Sequence, residues 1–494
     1  MPHRSRLRAS LLALMRGVLL VALLAGVAFG AKSAAFYARL RRLNAAQSVL
    51  SLPSEPRPDS TARLLVFAPH CDDETLGSAG LIQQTVQAGG LVHVAILTNG
   101  DAFPAAAQRE FRRFRLQPAD YARFASLRRQ ESKNALQSLG VPANSVQFFG
   151  YPDRGLMPLW NNHWTADKPY ASPTTQRSAT DAASSAYPDA PFCGRGLLEN
   201  IKTALRNFRP TLITVTHPAE DHADHAAAAA FVALALRELQ SEPESAGWAR
   251  QTHLRYYLVH CGDWPVPPTA PDEALTPPAA LIGLDTAWRC RPLTLTETQG
   301  KADAIARYST QTAMMGPFLR SFARSNEIYG ERPESKLPRI ADCAAPLDAN
   351  APIWAEIPPA LRSPLADNLA REMEGGADIA ACRVCRDSKN LYLRIETREA
   401  IRSRFVYTVR IRAIGPCGES NLNALILRPT ETGTLRDGAN DIETTRQGRT
   451  LTLAVPLKRL TTNLPLCDIA FSVETALAGV PIDQTGITIL DFGF

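Results

Sequence analysis

From Arg63 onward the chain alternates short apolar runs with amphipathic stretches, and after about residue 345 that rhythm gives way to runs of period two. The first rhythm is the stronger constraint. Leu64–Phe67, Leu91–Leu97, Val146–Phe149 and Leu212–Thr216 read as strands. Between them helices are predicted from about Thr75 to the Gly89-Gly90 pair, over Ala122–Leu139 before Gly140, and over Leu197–Phe208 before Pro210. An Ala-rich helix, Ala226–Leu239, follows the last strand. Apolar residues at helical spacing, stopped by Gly or Pro, are the physical basis of these readings.

Strand–helix alternation predicts an α/β fold, with a Rossmann-like, mostly parallel sheet and helices on both faces. Beyond residue 345, Asn390–Thr397, Phe405–Ile411, Ala424–Leu427, Thr450–Val455, Ile469–Val473 and Ile487–Phe492 alternate like strands separated by turns. They predict an all-β sandwich after the α/β domain. A chain of 494 residues exceeds a single core, so the expected division is a domain at 61–335 and a sandwich at 345–494. Residues 160–193 and 263–280 read as long loops. Trp160, His163 and Trp164 open the first, either to anchor it or to pack on a sugar ring. Hydrophobic content of 45% and charged content of 21% are those of a globular protein. The net charge of +6 is spread over scattered Lys and Arg, with no basic helix carrying interleaved aromatics, so no nucleic-acid partner is expected.

Arg4, Arg6 and Arg8 precede an apolar stretch from Leu11 to Ala31 broken only by Arg16. Residues 1–31 therefore read as a signal peptide or a single membrane anchor, with export of the remainder, and 32–60 as a polar linker. Nine cysteines in an exported chain point to disulfides, with Cys71 the candidate for the unpaired one. Cys382 and Cys385 form a CxxC on a strand-like pattern that sends the two thiols to opposite faces.

The chemistry sits in two clusters. Pro69-His70-Cys71-Asp72-Asp73-Glu74 follows the first strand, and Asp221-His222-Ala223-Asp224-His225 comes shortly after the strand at 212–216. His70, Asp73 and His225 would make a three-ligand zinc site with an open position, the composition of a catalytic site. Zinc so held brings the pKa of bound water to about 7. Asp72 would then be the base, Asp224 would orient a histidine, and His222 would stabilise an oxyanion as a protonated group. The plainer alternative is that Asp72, Asp73 and Glu74 only cap the helix that follows, and that His70 is structural. His217 reads as structural.

These residues resemble the zinc-dependent de-N-acetylases of the PIG-L/LmbE family, whose hallmarks are (A/P)HPDDE and a later HPDH. Matching pieces lie between and after them: Arg128-Arg-Gln-Glu131, Phe149-Gly-Tyr-Pro-Asp-Arg-Gly-Leu-Met157, Lys301 to Tyr308, Gln311, Phe318 to Arg324 and Glu327. The resemblance covers about residues 62–335. It implies that His70, Asp73 and His225 bind Zn2+, that Asp72 is the base, and that His222 is the acid or electrostatic catalyst supported by Asp224. It further implies that Arg128 and Asp153 contact substrate. The reaction implied is removal of acetyl from an N-acetylated sugar, glycan or glycolipid, with a membrane partner if the amino-terminal segment is uncleaved. Cys71 and Ala223 stand where the hallmark has prolines, which relaxes both turns.

The stretch Asp387–Glu396 is similar to carbohydrate-binding-module and DOMON-like sandwiches. Asp491-Phe492-Gly493 matches a kinase triplet by chance, since no other kinase element accompanies it. Two rival readings are weighed. One is a non-catalytic glycan-binding envelope protein with a degenerate deacetylase domain, for which the Cys71 and Ala223 departures speak. The other is a dinucleotide enzyme, and Gly77 and Gly80 give no GxGxxG for it.

Overall fold

The computed structural model describes residues 52–493 except 263, 266–272, 343–345, 417–418, 430–433, 437–441 and 461–464, together with Gly26, Val27, residues 30–39 and Arg42. Five strands run parallel in the order β3-β2-β1-β4-β5: β1 (Arg63–Ala68), β2 (Leu91–Thr98), β3 (Val146–Tyr151), β4 (Leu212–Thr216) and β5 (His253–Tyr257). Antiparallel strands β6 (Ala287–Pro292) and β7 (Asn326–Glu331) extend the sheet as β5-β7-β6. Alternate residues of β1 serve opposite faces, as the pleat requires. Leu65 and Phe67 join a core with α4 (Leu156–Asn161), α5 (Gly194–Phe208) and α6 (Ala223–Ser241). Leu64 and Val66 join another with α1 (Asp73–Gln87) and α3 (Pro118–Ser138). The helix α2 (Pro104–Phe111) lies between β2 and α3, and α7 (Leu295–Ile305) packs on α1, followed by α8 (Ser309–Arg320).

The carboxyl-terminal third forms two antiparallel sheets. One has the order β15-β16-β11-β10-β9, built from β9 (Leu361–Arg362), β10 (Ile379–Arg386), β11 (Asn390–Thr397), β15 (Glu443–Gln447) and β16 (Thr450–Pro456). The other runs β14-β13-β12-β17-β19-β8, from β8 (Ser335–Lys336), β12 (Phe405–Ile414), β13 (Ser420–Pro429), β14 (Thr434–Arg436), β17 (Asp468–Leu477) and β19 (Thr488–Asp491). β18 (Val480–Gln484) pairs with β17. Their inner faces share one core that includes Leu393, Ile395, Val409, Ile411, Leu453 and Val473.

The sandwich is fused to the α/β body. Ile414, Ala470 and Ile487 enter the core under α6. Arg412 of β12 donates to the Trp160 carbonyl and lies 4.1 Å from the Trp164 ring centre, which stacks on Phe231. Arg237 pairs with Asp468 at 2.6 Å. Trp160 and Trp164 are therefore loop anchors rather than a sugar platform, because both rings are buried.

Residues 30–39 are helical, as their Ala-rich composition favours, with Phe36 buried. The amino-terminal run lies mostly outside the described residues, and no helix among those described is long and apolar enough to cross a membrane. Among the described residues Cys71, Cys193, Cys261, Cys290, Cys382 and Cys385 are free thiols, and the side chains of Cys382 and Cys385 enter different cores. Cys343 and Cys417 lie outside the described residues. Strands β5, β6 and β7 escaped the sequence reading because their polar and charged residues mask the pattern.

Candidate metal centre and active site

β1 and β4 are adjacent and parallel, yet the chain proceeds to β2 and β3 on one side and to β5 on the other. Loops leaving the carboxyl ends of two such strands diverge and open a crevice. His70 to Asp73 follow β1, and His222 to His225 follow β4, so both clusters meet there.

Three atoms face one another. His70 Nδ1 is 3.2 Å from Asp73 Oδ2 and 3.1 Å from His225 Nε2, and His225 Nε2 is 3.2 Å from Asp73 Oδ2. Tetrahedral coordination at zinc bond lengths places neighbouring ligand atoms about 3.3–3.5 Å apart. A nearly equilateral triangle of two imidazole nitrogens and a carboxylate oxygen, all buried, has the shape and chemistry of a divalent-cation site. His222 and His260 stand nearby, their rings 5.0 Å from that of His225. Burial disfavours charge on the ligand histidines, but Asp153, Asp224 and Asp73 outweigh it at His70, and Asp73 and Glu220 do so at His225; both are held above the ordinary imidazole value. Asp73, although buried, is held well below the carboxylate range by His225 and His70. The cluster thus calls for positive charge, which a bound cation supplies in place of protons.

Both imidazoles of the triangle are oriented from behind. Glu220 accepts from His225 Nδ1 at 2.6 Å, and from the backbone N–H of His260 at 2.9 Å and of Val259. The sequence reading missed Glu220; its place two residues before His222 in an acidic cluster was the available signal. Asp224 approaches His70 Nε2 at 3.3 Å while accepting from Arg154 N at 2.6 Å and Leu156 N at 3.0 Å. It orients a histidine as expected, but that histidine is His70. The carboxylate does not support His222, whose Nδ1 instead accepts the Asp224 backbone N–H at 3.2 Å. Burial, with the charge of His70 and His225, pushes His222 down to about 2, which favours the neutral imidazole over the expected protonated group. In that neutral form the acceptor role of Nδ1 leaves the proton on Nε2.

Asp72 has a backbone φ of 123°, a region that residues other than glycine avoid. Its side chain makes no cap hydrogen bond, so the capping alternative fails for this residue. Glu74 accepts from Asp72 N at 3.0 Å and is fixed in turn by the Tyr308 hydroxyl at 2.7 Å. Arg128 donates to the Cys71 carbonyl at 2.5 Å, to Asp72 Oδ2 at 3.2 Å and to the Gly100 carbonyl at 2.9 Å. The Arg128 guanidinium thus holds the turn, a role that the sequence reading did not assign to it. Burial pushes Asp72 up to about 8, against the opposing pull of Arg128.

Asp153 is likewise tied to the cluster. It lies 3.2 Å from His70 Nε2, accepts from Ala102 N at 3.0 Å, and is held low by His70 and Arg128 despite burial. Asp101 accepts from Asp153 N and from the Thr174 hydroxyl, which ties the 160–193 loop to the site. The other family-like pieces are structural: Glu131 binds Ser309 and Thr310, and Lys301 pairs with Glu327, which accepts from Gly80 N and Leu81 N. Cys71 points into the core, its thiol pushed up to about 12 by burial, so it supplies no competing thiolate. His217 is buried against Trp288, as a structural histidine would be.

A mostly parallel sheet whose crevice carries a His/Asp triangle defines an α/β protein with a candidate metal centre. Residues 65–236 match the family described as GlcNAc-PI de-N-acetylase, PIG-L, and form a domain of that family. The match spans both clusters and stops short of the sandwich. No curated protein matches the chain. Among solved structures, the pseudoaglycone deacetylase Dbv21 aligns at 22% identity over 55% of this chain and 96% of its own, with a TM-score of 0.35. The N,N'-diacetylchitobiose deacetylase of Pyrococcus horikoshii aligns at 16% identity over 60% and 91%, also at 0.35. The 4-carboxy-2-hydroxymuconate hydratase GalB of Pseudomonas putida aligns at 17% over 53% and 82%, at 0.30.

Proposed function

We propose that the protein is a zinc-dependent amidohydrolase that removes the acetyl group from an N-acetylated amino sugar. The observation that carries this reading is the triangle of His70 Nδ1, Asp73 Oδ2 and His225 Nε2, with Asp72 poised beside it. The PIG-L domain at residues 65–236 supports the reaction type. A zinc ion held by those three residues would acidify water and polarise the amide carbonyl.

Asp72 takes a proton from the attacking water and returns it to the departing amine. A carboxylate whose proton affinity is raised towards neutrality suits both halves of that transfer. The His222 Nε2–H donates to the developing oxyanion as a neutral group. Arg128 and Glu74 keep Asp72 in its strained backbone conformation, while Glu220 and Asp224 hold the ligand imidazoles. The degenerate-domain alternative gains nothing, since every donor of the set is retained and converges. The Arg-rich start and apolar run support an exported or membrane-tethered chain.

The test uses the full chain. Metal content is measured, and acetate release from N-acetylated sugars is compared for the native protein and Asp72→Asn. Zinc with an Asp72-dependent release of acetate is expected. Absence of metal, or equal rates in both forms, ends the proposal.

A further inference from the structure

Residues 109–116 read Arg-Glu-Phe-Arg-Arg-Phe-Arg-Leu, so the basic residues are not all scattered. α2 ends in this stretch. Arg112 is left-handed, Arg113 N donates to the Gln108 carbonyl at 3.0 Å, and the Gln108 side chain donates to the Phe114 carbonyl at 2.9 Å. A reciprocal cap between Gln117 and Asp120 then opens α3. The turn is held at both ends, and it presents Phe114 outward at 91% exposure, the highest of the large apolar side chains described.

Arginines flank Phe114 in the chain. Arg109, Arg112, Arg113, Arg115 and Arg123 are all exposed. Arg113 pairs with Asp120, Arg123 lies over the Phe111 ring, and Arg109, Arg112 and Arg115 have no acidic partner among the described residues. The turn thus joins an exposed phenyl ring to exposed arginines without acidic partners, apolar surface beside unneutralised positive charge. It suits the boundary of a bilayer, where the ring enters the acyl region and the guanidinium groups meet phosphates.

The turn also lies on the right side of the molecule. It hangs from the segment after β2, whose Gly100 and Asp101 contact Arg128 and Asp153 of the site. Residues 30–39, which continue the apolar amino-terminal run, dock through Arg39 on the Ala366 carbonyl and Glu372. The Asp367 carbonyl there lies beside Gly262, beyond the carboxyl end of β5. Both features therefore belong to the edge of the sheet that carries the site.

We propose that Phe114 and its arginines dock this edge on an anionic phospholipid bilayer. Nothing in this docking depends on the deacetylase reading, since no catalysis enters it.

Hydrogen exchange of the full chain tests it, with vesicles of phosphatidylcholine mixed with phosphatidylglycerol, or of phosphatidylcholine alone. The amides of Phe114, Arg115 and Leu116 make no hydrogen bond among the described residues, so they exchange freely unless covered. Their exchange is expected to slow several-fold with the anionic vesicles only, and the slowing to vanish in Phe114→Ser and in Arg112→Glu/Arg115→Glu. No slowing, or equal slowing with phosphatidylcholine alone, overturns the proposal. So does equal slowing by soluble dextran sulfate that persists in Phe114→Ser, which marks a polyanion site without lipid insertion.

Discussion

Both halves of the molecule bury charge, but they neutralise it differently. In the sandwich the acids face guanidinium groups: Asp483 meets Arg371 at 2.7 Å, Asp378 meets Arg398 at 2.7 Å, and Asp367 meets Arg371 at 2.8 Å. In the α/β crevice Asp73, Asp153, Asp224 and Glu220 face imidazoles, and Arg128 alone brings a permanent charge to Asp72. A guanidinium is always charged and fixes a structure. An imidazole is charged only when protonated, and it can give up that proton to solvent and bind a metal through the freed lone pair. The contrast separates buried charge that braces from buried charge that can do chemistry.

Breaking the chemical side comes first, because it carries the largest effect. Asp72→Asn should lower the deacetylation rate by about 10²–10⁴-fold while leaving metal content intact, as acetate release and metal analysis will show. On the bracing side, Asp483→Ala leaves Arg371 with Asp367 alone and exposes the Ile379 N–H that Asp483 accepts. A loss of about 3 kcal/mol in denaturant unfolding is expected, with unchanged activity per folded molecule.

Arg128→Gln probes the point where the two kinds of pairing meet. The positive charge of Arg128 lowers the Asp72 pKa, so its removal raises it. The acid limb of the pH–rate profile should move to higher pH by about 1–3 units. A limb that stays in place would show that Arg128 acts on the turn and not on the charge. Glu220→Gln should weaken metal binding by about 10–100-fold in chelator competition, with the fold retained. The smallest effect belongs to Cys71→Ala, for which metal content and rate should hardly change, because the thiol faces the core.

Much of this was legible beforehand. β4 was predicted with its observed ends, and β1, β2 and β3 to within two residues, because central parallel strands are continuous apolar runs. The convergence of His70, Asp73 and His225 was legible as residue types at two strand ends. Their surroundings were not. Arg128 and Asp153 were read only as substrate contacts, and folding also sets them against Asp72 and His70. Nothing in linear order assigns Asp224 to a histidine over 150 positions away instead of its neighbour His222.

The sequence by itself determined the two-part architecture and the donor chemistry, because hydrophobic period and residue type are local properties. Only the tertiary structure decided which nitrogen faces which oxygen, that His222 is half-buried beside two other imidazoles, that Cys71 faces the core, and that Phe114 stands exposed on an arginine-rich turn. Those outcomes depend on burial and on distances of a few ångströms between distant segments, which no single stretch of the chain contains.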